Sequence, residues 1–137
     1  MTTHSQVTYL KDYQVPVFII DTTDLDIRIG DEYTSVFARL KVRRNPASKA
    51  TSSVLELTGG KHIKLQEVIM DGLILDDSNY DLEDTVLSIY QCPETFELTT
   101  ECLIQPQLNT SLEGLYKSGG MYCTQCEAEG FRNITYY

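Results

Sequence analysis

The residues best suited to chemistry stand near the carboxyl-terminal end, in the stretch CTQCEAE that begins at Cys123. Cys123 and Cys126 have the spacing of half a zinc site or of a redox pair. Gln125, Glu127 and Glu129 follow one another at intervals of two, and residues two apart point the same way in an extended segment. A carboxylate can bind an ammonium group, and a neighbouring amide can fix its orientation. The spacing therefore allows metal binding, redox chemistry or recognition of an amine.

The cysteine spacing favours neither a zinc site nor a redox centre. The other two cysteines, Cys92 and Cys102, are separated by nine residues, whereas paired zinc knuckles show a second tight pair. A redox CxxC needs a strand that leads into a helix, and the glycines of SGGMYCTQCEAEG predict a loop instead. We interpret the cysteines as reduced thiols packed under a loop. Surface exposure is the commoner explanation for glutamates two positions apart.

Other candidate sites in the sequence are weaker. His4 and His62 have no histidine, cysteine or carboxylate at ligand spacing, which favours a surface role for both. The stretch TGGKH lacks the spacing of a phosphate-binding loop. The acidic stretch LDDSNYDLEDT lacks the glycine and terminal glutamate of an EF-hand, so we interpret it as a solvated loop.

Length and charge restrict the class of protein. A chain of 137 residues predicts a single domain, 1–137, with a real core. The net charge of −9 repels phosphate backbones, so no nucleic-acid partner is expected. No apolar run approaches the roughly 18 residues of a membrane span, and the first residues lack the features of a signal peptide. We therefore expect a cytoplasmic protein with no membrane partner, whose thiols are reduced.

Alternation of apolar and polar residues predicts an all-β fold. The stretches DLDIRI and TSVFARLKV alternate on either side of a Gly30-Asp31 turn, which is typical of a hairpin with one wet face. Further short strands are predicted in SVLELTGG, HIKLQEVIMDG, LILDD, DTVLSIYQC and ETFELTTECLI, whereas RNPASKATSS predicts a loop. No helix of three turns is predicted. Short strands with frequent turns favour a β-sandwich or an open barrel.

The carboxyl-terminal stretch closely resembles a signature in the amino-terminal domain of bacterial aminopeptidase N, a group of M1 zinc metallopeptidases. The resemblance is strong over the last 29 residues and looser upstream, in LKDYQVPVF and VFARLKVRRN. We take it to cover the whole chain. The motifs that carry it are LEGLY at 112–116, Ser118-Gly119, CTQCEAEGFR at 123–132 and ITYY at 134–137.

The resemblance implies a function and two site residues. Enzymes of this group remove single amino acids from the amino terminus of peptides, and their saddle-like, β-rich first domain lies against a thermolysin-like catalytic domain. The resemblance assigns Glu127 to binding the α-amino group of the substrate and Gln125 to the pocket for its first side chain. It makes the cysteines scaffold for the loop. Asn133 stands where a basic or imidazole side chain is expected.

The sequence also differs from this group of enzymes in two motifs. The zinc motif His-Glu-x-x-His and the Gly-Ala-Met-Glu-Asn stretch are absent from the sequence, so the zinc ligands of the parent enzyme are expected outside this chain. We expect the chain to be a fragment that holds no cofactor and is inactive alone, with its own catalytic domain and peptide substrates as partners. Two alternatives stay open, namely a stand-alone β-sandwich interaction module and a small cysteine-ligated zinc protein.

Overall fold

The computed structural model describes residues 7–137, so His4 lies outside the described residues. Within that range the chain forms ten strands and three 3-10 turns, and no α-helix. No helix in this range has the length and apolar character to cross a membrane. The 3-10 turns are Leu10–Asp12, Pro106–Leu108 and Gly130–Asn133. The strands are β1 Phe18–Arg28, β2 Thr34–Arg44, β3 Leu55–Thr58, β4 Lys64–Met70, β5 Leu73–Ile74, β6 Tyr80–Glu83, β7 Val86–Ile89, β8 Thr95–Ile104, β9 Gly114–Ser118 and β10 Met121–Gln125.

The main sheet has five antiparallel strands in the order β1-β2-β8-β4-β5. The predicted hairpin is confirmed, because β1 pairs with β2 along nearly its whole length. Leu25 and Ile27 of β1 face the same side as the buried residues of β2 but remain 39% and 38% exposed. They are exposed because β1 is the edge of the sheet, and among residues 7–137 no strand continues the surface beyond it.

Two smaller sheets complete the fold. One contains β3, β7 and β6, with β7 in the centre, and the other is the β9–β10 hairpin. Strand β6 lies within the acidic stretch that was predicted to be a loop, so that prediction is wrong for Tyr80–Glu83. Its residues form a strand because they pair with β7 across a tight turn, where Asp84 has a φ of 53°. In the sequence, the alternation of Tyr80 and Leu82 is too short to predict this strand.

The core lies against one face of the main sheet. Alternate residues of β2 are fully buried, among them Val36 and Leu40, and they pair across the sheet with the buried row of β8 that includes Leu98. Each such side chain contributes roughly 1.5–3 kcal/mol on transfer from water. The alternation seen in the sequence thus corresponds to one buried and one more exposed row of side chains along β2 and β8. The all-β prediction is confirmed, with open rather than closed sheets.

Candidate functional site

The β9–β10 hairpin carries the first part of the candidate site. Its turn is Gly119-Gly120, and both glycines adopt positive φ angles that other residues rarely accept. The sequence predicted a loop here, and that prediction is wrong because these flexible residues close a hairpin. Gln125 is the last residue of β10 and pairs in register with Gly114, the first residue of β9.

A short loop of residues 126–129 follows β10 and carries both glutamates. Residues 127–129 form a turn, with a cis peptide bond between Glu127 and Ala128. The expected extended segment therefore stops at Gln125, and the alternation that would have aligned Gln125, Glu127 and Glu129 on one side does not apply. We refer to residues 126–129 as the glutamate loop.

The glutamate loop begins and ends at one narrow point. Gly130, which follows it, is buried against the end of β10. A Cβ atom built on Gly130 would lie 2.2 Å from the carbonyl oxygen of Gln125 and 3.2 Å from the backbone nitrogen of Gly114. Only glycine allows this approach. We call Gly114, Gln125 and Gly130 the neck.

The two glutamates have different surroundings. Glu129 accepts a hydrogen bond from Arg132 at 3.1 Å and forms an ion pair with it. Within residues 7–137, the Glu127 carboxylate and the Gln125 amide make no side-chain hydrogen bond, and Glu127 forms no ion pair. All three side chains are exposed. The loop thus presents one compensated carboxylate and one that is available to a ligand.

Asn133 connects the neck to the rest of the molecule. Its side chain lies between two glycines, so that a Cβ on Gly60 would be 2.3 Å from Asn133 Oδ1 and one on Gly114 would be 2.8 Å from Asn133 Cβ. Asn133 Nδ2 donates to Glu113 Oε2 at 3.4 Å. The backbone N–H of Gly60 donates to the carbonyl of Arg132 at 2.8 Å. The turn that ends the glutamate loop is therefore held against the β3–β4 connection.

The last residues strengthen this attachment. Tyr137 and Thr58 exchange two backbone hydrogen bonds of 3.0 and 3.1 Å. The Tyr136 ring is buried against Gly59, where an added Cβ would lie 2.5 Å from the ring. Phe131 contacts the ring of Tyr137 edge to face, with centroids 5.1 Å apart. The side of the glutamate loop that leads to residues 130–137 is thus fixed to packed parts of the fold.

A cavity of about 290 Å³ lies behind this attachment. Its walls include Gly60, His62, Leu115 and Asn133, together with the segment that follows β8. Neither Gln125 nor a residue of the glutamate loop lines it. The candidate site residues therefore stand on a projecting loop and not in a cleft within the described residues.

The four cysteines are free and do not converge on a common site. Cys92 and Cys102 are buried, as expected, but Cys123 is half-buried and Cys126 is exposed, so the prediction of packing under a loop is wrong for Cys126. Burial raises the pKa of the Cys102 thiol to about 11, although the hydroxyls of Thr100 and Thr135 oppose the shift. In residues 7–137 no three histidine, cysteine, aspartate or glutamate side chains are grouped to hold a metal ion.

The glycines that shape the site were not predicted from the sequence. Gly59 and Gly60 stand in TGGKH, which lacks the spacing of a phosphate-binding loop, and no motif assigns a role to Gly114 or Gly130 individually. The available signal was that each glycine flanks or interrupts a strand, which often marks a close backbone approach. What each glycine contacts depends on residues far away in the sequence.

Comparisons with known proteins agree with this architecture. No family model matches the sequence. The chain is 43% identical over 132 residues to aminopeptidase N of Caulobacter vibrioides, covering 96% of this chain but 15% of that protein. It also superimposes on aminopeptidase A of Legionella pneumophila, solved with aspartic acid, with a TM-score of 0.87 and 28% identity over 94% of this chain and 15% of that one.

A more distant structure shows the same fold. The M1 zinc metallopeptidase of Deinococcus radiodurans, solved as a variant bound to a Tyr-Ser-Ala substrate, matches with a TM-score of 0.65 and 14% identity, over 87% of this chain and 28% of that one. The chain therefore has the fold of the amino-terminal domain of the M1 aminopeptidases. Within that class the resemblance to bacterial aminopeptidase N is confirmed over nearly the whole chain.

Proposed function

We propose that this chain is a single β-rich domain of a longer, zinc-dependent aminopeptidase that removes amino-terminal residues from peptides. The observation that carries the proposal is the 43% identity to an aminopeptidase N over 96% of the chain. The chain spans only about 15% of that relative's length, which leaves room for a separate catalytic domain. In this proposal the zinc ligands belong to another part of that enzyme, and this domain contributes binding.

In this proposal Glu127 binds the free α-amino group of the substrate. Its carboxylate is exposed and uncompensated among residues 7–137, whereas neighbouring Glu129 is paired with Arg132. A carboxylate at the closed end of a site selects true amino termini, since an internal peptide bond brings no ammonium group to pair with it. A desolvated charged hydrogen bond of this kind contributes roughly 2–4 kcal/mol.

Gln125 serves the first side-chain pocket of the substrate. It ends β10, and its exposed amide makes no hydrogen bond to other described side chains. An amide can donate and accept, and its apolar stem can line a pocket wall. Because Gln125 belongs to the neck and Glu127 to the adjoining loop, the two side chains reach the substrate from neighbouring positions.

The location and partners of the protein follow as parts of the same proposal. The enzyme acts in the cytoplasm on peptides with a free amino terminus, and this domain packs on the enzyme's own catalytic domain. The similarity to aminopeptidase N supports the peptide substrate, and the composition supports the compartment.

Replacement of Glu127 tests the proposal in the longer enzyme. Glu127→Ala is expected to lower kcat/KM for an amino-acid anilide at least tenfold, or about 1.4 kcal/mol of transition-state binding, because the ammonium loses its partner. Glu127→Gln, which keeps the size and removes the charge, is expected to show most of this loss. The measurement is steady-state kinetics on substrates with a free amine.

The matched control is Glu83→Ala, which removes an exposed glutamate from strand β6, on a different sheet. It is expected to leave kcat/KM within about twofold, as surface substitutions away from such sites do. Kinetics that are unchanged in Glu127→Ala would remove Glu127 from the site.

A further inference from the structure

We infer that Asn133 is a positioning residue that sets where Glu127 stands; the inference rests on the function proposed for Glu127. Asn133 ends the 3-10 turn that begins with Gly130, so it belongs to the same short element as one side of the neck. Its side chain is half-buried, and its Nδ2 donates to Glu113 Oε2 at 3.4 Å rather than to a residue of the glutamate loop. Its influence on a bound amine is therefore indirect.

The first contact of Asn133 is with the other side of the neck. Gly114 has a φ of +76°, and a Cβ built on it would lie 2.8 Å from Asn133 Cβ and 3.1 Å from the carbonyl oxygen of Gly130. Gly114 also pairs in register with Gln125. Asn133 thus contacts the strand residue that fixes the beginning of the glutamate loop, while its own turn fixes the end.

The second contact is with the β3–β4 connection. A Cβ on Gly60 would lie 2.3 Å from Asn133 Oδ1 and 3.2 Å from Asn133 Cα, so the amide fills the space that a side chain at position 60 would need. The Gly60 N–H donates to Arg132 O at 2.8 Å, directly beside this contact. Asn133 therefore acts as a spacer between Gly60 and Gly114.

The spacer explains how the loop keeps one orientation. Residues 126–129 have few contacts of their own, because all four are exposed. Their direction depends on the neck, and the neck depends on the separation that Asn133 maintains from the packed connection at Gly60. A misplacement of about 1 Å at a binding group can lower a rate about a hundredfold. Loss of the amide is expected to relax this separation and to move the Glu127 carboxylate.

A double-mutant cycle in the longer enzyme tests the inference. Asn133→Ala is expected to lower kcat/KM for an amino-acid anilide about fivefold, mainly through KM, because it weakens placement of the amine. In the Glu127→Ala background the same change is expected to have no further effect beyond about twofold, since a residue that acts through Glu127 has nothing left to position. Gly60→Ala, which displaces the amide from the other side, is expected to give the same non-additive result.

Matched controls separate positioning from general damage. Asn79→Ala removes an asparagine that holds a distant turn, where its Oδ1 accepts from the Asp76 N–H at 3.0 Å. It is expected to change the melting temperature without changing kcat/KM. If Asn133→Ala fails to fold, the Gly60→Ala cycle decides in its place.

Each outcome points to one conclusion. Equal losses from Asn133→Ala with and without Glu127, or no loss in either background, would overturn the positioning role while the role of Glu127 stands. No loss from Glu127→Ala itself would overturn the proposed function first. A strong loss from Glu127→Ala together with non-additivity at Asn133 and Gly60 would support both.

Discussion

Charge compensation distinguishes Glu127 from Glu129, although the two residues lie on one four-residue loop. Arg132 donates to Glu129 at 3.1 Å, which pairs one of the two carboxylates of the glutamate loop with a cation. An exposed pair of this kind contributes little to folding, typically under 1 kcal/mol. For recognition, the pair leaves Glu127 as the carboxylate of the glutamate loop without a cationic partner among residues 7–137. The same loop without Arg132 would offer two competing positions to an ammonium group.

Thiol reactivity provides a direct test of residue environments. At neutral pH a maleimide is expected to label Cys126 fastest and Cys123 more slowly, because Cys126 is exposed and Cys123 half-buried. Cys92 and Cys102 are expected to react only after unfolding, since both are buried and burial raises the pKa of each thiol. Peptide mass spectrometry of timed samples measures the order.

Cys126→Ser is the matched control for this experiment, and it is expected to remove the fast phase without altering the slower ones. Rapid labelling of Cys102 in the folded chain would contradict the buried environment described for it.

The sequence was enough to identify the candidate site residues, but it did not predict the surroundings of their side chains. The motif around Glu127 was specific enough to single out Glu127 and Gln125 by resemblance, and their function stays a prediction. Their spacing does not distinguish Glu127 from Glu129. The two differ because Glu129 forms an ion pair with Arg132, and that pair depends on how the turn folds back. The exposure of Cys126 was missed for the same reason.

At the element scale, the neck is the feature most sensitive to substitution. Gly130→Ala is expected to lower the free energy of unfolding by about 2–3 kcal/mol, because the new Cβ would lie 2.2 Å from the Gln125 carbonyl and the backbone must shift. Urea unfolding of the chain measures this change.

Gly119→Ala measures the cost of an unfavourable backbone conformation without a steric clash. Gly119 adopts a φ of +55° in the β9–β10 turn, and an added Cβ meets nothing within 4 Å. The expected cost is about 1 kcal/mol, from the left-handed backbone alone. Equal losses in Gly130→Ala and Gly119→Ala would show that the neck is not tightly packed.

Strand prediction succeeded where alternation was long and failed where turns dominated. Strands β1, β2 and β8 are each ten or eleven residues long, and apolar and polar residues alternate along them. Burial of one face of the sheet fixes the register of their pairing. Strands β6 and β10 are four and five residues long, and both lie beside flexible or acidic turns. Their pairing is decided by neighbouring strands, which a local pattern does not contain.

At the scale of the whole molecule, the packed core makes stability depend on alkaline pH. Burial raises the pKa of Cys102 from 9.0 to about 11 and that of Tyr136 from 10.0 to about 12. The unfolded chain therefore loses these protons at lower pH than the folded chain. This part of the stability is fully present below about pH 9 and is expected to fall as pH rises from there through the pKa values of the folded chain.

Urea unfolding between about pH 7 and 10.5, with reductant present, measures this slope. Cys102→Val keeps the buried volume and removes the thiol proton, so its slope above about pH 9 is expected to be shallower. Identical slopes for the two proteins would show that Cys102 does not contribute.

The overall class was predictable because it depends on many residues at once. Alternation repeated over several strands indicated an all-β fold, and no single error in β6 or β10 changes that class. The arrangement of three sheets around the neck was not predictable in this way. It depends on single contacts such as Gly59 with Tyr136, which join residues far apart in the chain.

The backbone pairing of Thr58 with Tyr137 can form only after both residues have been synthesised. The partner of Thr58 leaves the ribosome roughly 80 residues later, or about 4–16 s at synthesis rates of about 5–20 residues per second. During that interval β1, β2 and β8 can associate, but Gly59 and Gly60 have nothing to cover them. The glutamate loop therefore acquires this support only after the strands of the main sheet have been made, and a nascent chain halted before Ile134 would carry Glu127 without that anchor.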